Sequence, residues 1–139
     1  WRRITPHAFG YDGFRWHVRA YCHLEHKFKD FLLPRILEVS GKGDPGGIGE
    51  QDWLWNNYFD VVIGPHPDLT ESQKKVVAKD YGFDHGNGIL SVRYAMLFYV
   101  LKRLGLLGDA VKQSARTQHI VTINRKETEA ALEKAELQL

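Results

Sequence analysis

Arg15, His17, Arg19, Tyr21 and His23 occupy every second position of one short stretch. The alternate positions, Phe14, Trp16, Val18, Ala20 and Cys22, are apolar. Period two is the strand period, so residues 14–23 should form a long half-buried strand. Neighbours two apart on one strand face lie roughly 6.6–7 Å apart. The odd positions would then line up as a row of hydrogen-bond donors with aromatic surface between them. Guanidinium forks suit phosphate or carboxylate, and tyrosine and histidine rings can stack on bases. The competing reading is a solvated strand face that happens to be basic. No acidic residue and no serine interrupts the row, which favours an anion-binding role.

The elements around this row follow from the pattern. Gly10 to Gly13 should turn the chain, and Pro6 to Phe9 should end a preceding strand. Lys27 to Val39 reads as a second strand, interrupted at Pro34, which suits an edge or a bulge. Lys29 and Arg35 lie in it. Should register set Lys29 beside Arg19, two cations would share a face and call for an anion between them. Asp30 or Glu38 could neutralise them instead, and the sequence leaves both arrangements open.

Residues 41–50, rich in glycine, read as a linker between a first domain, 1–40, and a second, 51–139. Gly41, Gly43 and Gly46 match G-x-G-x-x-G, but no helical pattern follows, as a dinucleotide site requires. Beyond the linker, Trp53 to Ile63 reads as a strand. Thr70 and Gln73 form a capping box for a helix to about Tyr81, which Gly82 stops. Ile89 to Val92 reads as a strand and Arg93 to Leu104 as an apolar helix. His119 to Ile123 reads as a third strand. Asn124 and Glu127 read as a second capping box, for a helix from Arg125 to about Leu137. The second half is thus β-α-β-α-β-α, a small α/β sandwich.

Composition narrows the functional classes. The 139 residues are 43% hydrophobic and 26% charged, as expected of a folded globular chain. One cysteine excludes an internal disulfide and fits a reducing, cytoplasmic compartment. No apolar run reaches the length of a membrane span, and no signal peptide is visible. Net charge is only +2. Residues 1–35 nevertheless hold seven Lys/Arg against three Asp/Glu, which again suggests an anionic partner there. Cys22, His23, Glu25 and His26 have no second cluster to complete a zinc site, so no metal is expected. No nucleophile elbow, zinc-protease motif or phosphate loop occurs, so no enzyme and no cofactor are expected.

Three blocks carry a resemblance: Ile4 to Phe9, Arg15 to Cys22, and Phe28 to Ile36. They resemble the WYL domain, in the variant of bacterial transcriptional regulators associated with phage defence. Val92 to Ala95 and Tyr99 to Leu106 resemble the WCX extension that follows it. The resemblance implies an α+β chain: an incomplete Sm/SH3-like β-barrel, then a small β-α-β-α-β-α sandwich. It implies a nucleotide or single-stranded nucleic acid as ligand, a homodimer, and operator DNA read by a winged helix. That winged helix and the first barrel strand would lie ahead of Trp1, and the absent initiator Met suggests a fragment or a processed form. Trp16, His17 and Val18 stand at the naming tripeptide, so His17 and Val18 replace tyrosine and leucine. Lys29 stands where arginine is usual, and Arg35 is kept. The expected ligand residues are His17, Arg19, Tyr21, Lys29, Arg35, Arg15 and His7. Two other functions stay open: a dimerisation module without ligand, and a metal-dependent nuclease or phosphodiesterase.

Overall fold

The computed structural model describes residues 1–137. Strands β1 (Ile4–Tyr11), β2 (Trp16–Cys22) and β3 (Lys27–Leu32) form an antiparallel sheet in chain order. The alternation at 14–23 therefore produces the expected strand, trimmed by the turn. Asp12 makes that turn, accepting hydrogen bonds from the amides of Phe14 and Arg15 at 2.8 and 2.6 Å. Gly13 takes a φ of 91°, which a residue with a Cβ rarely adopts. The second strand is shorter than the expected span to Val39. It stops at Leu32, because Pro34 lacks a ladder N–H and opens a 3₁₀ turn over Leu33–Arg35. The architecture is α+β with two small antiparallel three-stranded sheets, and neither closes into a barrel.

The irregular stretch that follows ends in a 3₁₀ turn, Gly49–Gln51, and then helix α1 (Trp53–Asn56). A strand starting at Trp53 was the expectation. Asp52 decides otherwise: its carboxylate accepts the amide of Trp55 and so caps a short helix. Strand β4 begins only at Tyr58 and runs to Pro65. It lies at the centre of the second sheet, between β5 (Gly88–Arg93) and β6 (Ile120–Thr122), antiparallel to both.

Helix α2 (Glu71–Asp80) opens on the expected capping box, both of whose bonds form: Thr70 with the Gln73 amide and Gln73 with the Thr70 amide. Helices α3 (Tyr94–Arg103) and α4 (Arg125–Leu137) complete the expected β-α-β-α-β-α order. Asn124 precedes α4, but its side chain ties the helix to β4. Its Oδ1 accepts from the Val62 amide at 2.8 Å and its Nδ2 donates to the Asp60 carbonyl at 2.9 Å.

The main core lies in the second half. Val61 and Ile63 of β4, Val92 of β5 and Ile120 of β6 meet Val77 of α2, Met96, Leu97 and Leu101 of α3, and Ala131 of α4. Trp55 packs against this core, as a tryptophan of its size should. The first sheet docks on the same body. A Cβ at Gly10 would lie 2.9 Å from the Met96 sulfur and 3.4 Å from the Trp55 ring, so only glycine lets β1 come this close. Among the described residues no helix is long and apolar enough to cross a membrane.

Candidate functional site

The odd positions of β2 share one sheet face, and strand pairing chooses their neighbours. Arg19 stands opposite Asp30 of β3 and beside Ala8 of β1; His17 stands opposite Leu32 and beside Gly10; Tyr21 stands opposite Phe28. Lys29 pairs with Ala20 and so points to the other face. Register thus sets a carboxylate, not a second cation, beside Arg19.

His17 and Arg19 are each 1% exposed. An isolated buried cation is costly, so partners must be close. Arg19 donates from Nε to Asp52 Oδ2 at 2.7 Å and from Nη2 to Asp52 Oδ1 at 2.9 Å, a bidentate fork. Its remaining nitrogen lies 3.5 Å from Asp30 Oδ1. His7 sits where β1 shifts register between Pro6 and Ala8, and its Nε2 lies 2.9 Å from Asp52 Oδ2. A carboxylate only accepts, so that nitrogen carries the proton. Asp52 therefore accepts from β1, from β2 and from the first turn of α1.

His17 makes a second joint. Its Nε2 lies 2.7 Å from Asp12 Oδ2, and its ring packs on Tyr99 of α3 at 4.3 Å between centroids. Its other ring nitrogen is buried without a partner among the described residues.

The carboxyl groups respond to this setting in different ways. Burial pushes Asp12 up, but hydrogen bonds from His17 and from the amides of Arg15 and Phe14 outweigh it and hold the group at about 2. Burial likewise pushes Asp52 up, and the bonds from Arg19 and His7 bring it below the usual range. For Asp30 burial wins over the attraction of Arg19 and His17, so its carboxyl is raised.

The remaining predicted residues are dispersed. Tyr21 is half-buried, edge-on to Phe28 and His23. Lys29 bonds Glu25 at 2.7 Å on the far face. Arg15 lies 4.0 Å from Asp12, a long contact. Arg35 is exposed at the rim of a cleft of about 300 Å³ that Asp30, Leu32 and Tyr99 also line. The structure brings His7, His17 and Arg19 into one polar seam and leaves Tyr21, Lys29, Arg35 and Arg15 outside it.

The glycine-rich stretch lies over the Tyr21 end of the same face. The Gly46 amide donates to Thr5 Oγ1 at 2.9 Å, and Arg3 donates to the Asp44 carbonyl at 2.6 Å. A Cβ at Gly46 or at Gly47 would meet the Tyr21 ring at 2.8 Å, and one at Gly49 would meet His7 Nδ1 at 2.9 Å. These glycines serve close approach to a side-chain layer, not a phosphate turn.

Asp12, Asp52 and Tyr99 are the seam residues that pattern reading passed over, while Asp30 does stand beside a cation as the neutralising alternative expected. Asp52 had a usable signal: an Asp placed directly before a tryptophan-rich stretch is an N-cap candidate. Among the described residues no group of three or more His, Cys, Asp or Glu is placed to hold a metal ion.

Residues 58–128, about half the chain, match the family described as the BrxR transcriptional regulator, C-terminal dimerization domain. The chain belongs to the BrxR family. Its relatives extend the likeness over both halves. It is 43% identical over 126 residues to the DNA-binding transcriptional repressor CapW of Stenotrophomonas maltophilia, across 89% of this chain and 42% of that one. Identity to CapW of Pseudomonas aeruginosa is 38% over 126 residues, 91% of this chain and 42% of the relative. Identity to CapW of Escherichia coli is 33% over 131 residues, 94% and 44%. The chain spans under half the length of these relatives. Within the BrxR-type segment lie β4 to β6 with α2 and α3; the Asp52 seam joins that segment to the first sheet.

Two outcomes follow from the seam. Asp52→Asn removes the bidentate anion and leaves buried Arg19 with only the more distant Asp30, and should lower stability by up to about 3–5 kcal/mol. Arg19→Met combined with Asp52→Leu should recover most of that loss, short of about 1 kcal/mol for the missing cap. Urea unfolding of the wild type and the two variants measures both; equal losses in the single and double variants would contradict the assignment.

The pH dependence has a defined sign. Asp12 and Asp52 hold folded values below the ordinary one, so their contribution is present above about pH 4 and is lost as pH falls toward 2. Asp30, raised by burial, works in the opposite direction, since its folded form takes up a proton first. Urea midpoints measured from pH 5 to 2 should fall, and Asp12→Asn should flatten that fall. An unchanged slope in the variant would remove Asp12 from the account.

Proposed function

We propose that this chain is the dimerising part of a bacterial DNA-binding transcriptional repressor, with operator DNA contacted by a part of the protein outside these residues. The observation that carries this reading is the dimerization-domain match at 58–128, continued by CapW likeness across both halves. Residues 1–40 and 51–139 act as two domains of one homodimerising unit, working in the cytoplasm where the operator lies. The Asp52 hub supports a mechanical role. A change at the first sheet that moves Arg19 or His7 also moves the cap of α1, and through Trp55 the core of the second half. A repressor could use such a joint to pass a state from one domain to the dimer, provided that an effector binds the two states differently.

The test is the mass and DNA binding of the full-length protein. Light scattering should give a dimer, and the dimer should retain an operator fragment; residues 1–139 alone should keep the dimer mass and lose duplex binding. A full-length protein that is monomeric, or one that never binds its own upstream DNA, would overturn the proposal.

A second reading keeps an anionic effector on the first sheet and is favoured by one observation, the glycine strap seated on the Tyr21 ring and His23. His17 and Arg19 already hold carboxylates, so a nucleotide or short single strand would be read by Tyr21 and His23, with Arg3, which lies at that end of the face, supplying charge. The strap would have to lift. Fluorescence anisotropy with labelled oligonucleotides and with cyclic and linear nucleotides should show binding that weakens with salt. Tyr21→Ala should weaken it by about 1–3 kcal/mol, the usual worth of one stacked base. No binding by any of these probes would end this reading and leave the dimerising one intact.

A further inference from the structure

The second sheet has one face on the core; the other is covered at its Gly64 and Val121 end, where both residues are buried, and open at its Val62 end. Along β4, Phe59, Val61 and Ile63 turn toward the core, and so do Leu90 and Val92 of β5. The alternate residues turn away. Val62 stands directly opposite Ile89, and the Ile123 amide donates to the Val62 carbonyl at 2.7 Å, so Ile89, Val62 and Ile123 form one row across all three strands. Ile89 is 72% exposed and Ile123 52%. Tyr58, 52% exposed, continues the apolar surface two places along the same face of β4 from Asp60.

This arrangement is unusual for a surface strand. A half-buried antiparallel strand puts polar residues on its solvent side. Here that side carries Ile89, Ile123 and the half-buried Val62, and Tyr58, over whose ring the Arg93 guanidinium of β5 lies at 4.7 Å; Asp60 and Ser91 form a polar row between them. Elsewhere in the matched segment the exposed apolar residues, Val76, Tyr81, Phe98 and Val111, form no such row, although Val76 lines a cleft with Leu69 and Val77. Val76 stands on α2 among Lys74, Lys75 and Lys79, and Phe98 is covered by Lys102 at 6.0 Å. All the residues of the open face fall within 58–128, the stretch that matches a dimerization domain.

We propose that this open face, centred on Ile89, Val62 and Ile123, is the surface on which a second copy of the chain docks. The inference rests on the homodimer reading above and names its interface. A two-fold axis through the aliphatic row would pack each row on its equivalent, as an isologous contact requires. Tyr58 would lie toward the rim of that contact, and Asp60 would stay clear of its counterpart. Burying the row removes apolar surface from water, the main favourable term in such association. Asn124, bonded to β4, ends β6 at Thr122 and leaves Ile123, the next residue, exposed.

The experiment is analytical ultracentrifugation of the full-length protein and of Ile89→Lys/Ile123→Lys, with Val76→Glu as a control on α2. Both altered positions are exposed, and circular dichroism checks that the fold is kept. The double lysine variant should raise the dimer dissociation constant by at least about tenfold, while Val76→Glu should leave it unchanged. As a measurement independent of folding stability, a short bis-maleimide should link Ile89→Cys copies and not Val76→Cys copies. A wild-type dimer that survives the lysines, or that cross-links at Val76→Cys instead, overturns the interface but leaves homodimerisation standing. A wild-type monomer overturns the homodimer reading and the interface with it.

Discussion

The fork between Arg19 and Asp52 holds the two halves of this chain in one arrangement. Arg19 sits in the middle strand of the first sheet, and Asp52 caps the helix that leads into the second. Neither can stay charged at that depth alone, since burial disfavours both ions. Each carboxylate oxygen of Asp52 accepts from Arg19, and the remaining lone pairs take His7 and the Trp55 amide. A buried pair this fully bonded contributes geometry more than stability: it fixes where β1, β2 and α1 meet. The Gly10 contact with Met96 and the His17 contact with Tyr99 are possible only in that position.

The seam and the open sheet face divide the molecule's work. Polar groups are buried where the two halves of one chain meet, and aliphatic groups are exposed where a second chain could meet the first. That is the reverse of the usual arrangement, in which polar side chains face out and aliphatic ones face in. Buried, hydrogen-bonded charge tolerates only one register, so it suits a joint that must pass on a small displacement. An aliphatic row tolerates small shifts, which suits an interface that has to survive them.

Much of the fold could be read from residue order. The alternation in β2, the Thr70 capping box and the glycine stop after α2 act within a few residues, and local chemistry decides them. The failures have a common cause in tertiary contact. Trp53 and Trp55 fit a strand face equally well until Asp52 is recognised as a cap. The span to Val39 looked extended because apolar residues near Pro34 continue the pattern after the sheet has lost its neighbour. Asn124 carries the signature of a cap, yet its side chain is taken by β4, a strand 60 residues earlier in the chain.

Of the seven residues expected to hold a ligand, His7, His17 and Arg19 lie in the polar seam and the other four lie outside it. His7, His17 and Arg19 were picked as donors, and they do converge. What sequence could not supply was the register that sets Asp30 opposite Arg19, or the chain path that returns Asp52 to the same spot. Charge counted along the chain makes residues 1–35 a basic segment. Charge counted in space is different, because Asp12 and Asp30 come from inside that segment and Asp52 from outside it. The cations with the most suggestive spacing are therefore those that the fold has already neutralised. The accessible ones, Arg3 and Arg35, stand outside the alternation that drew attention first. A strand that alternates cations with apolar residues implies an anion nearby, and in this chain the anions are its own carboxylates.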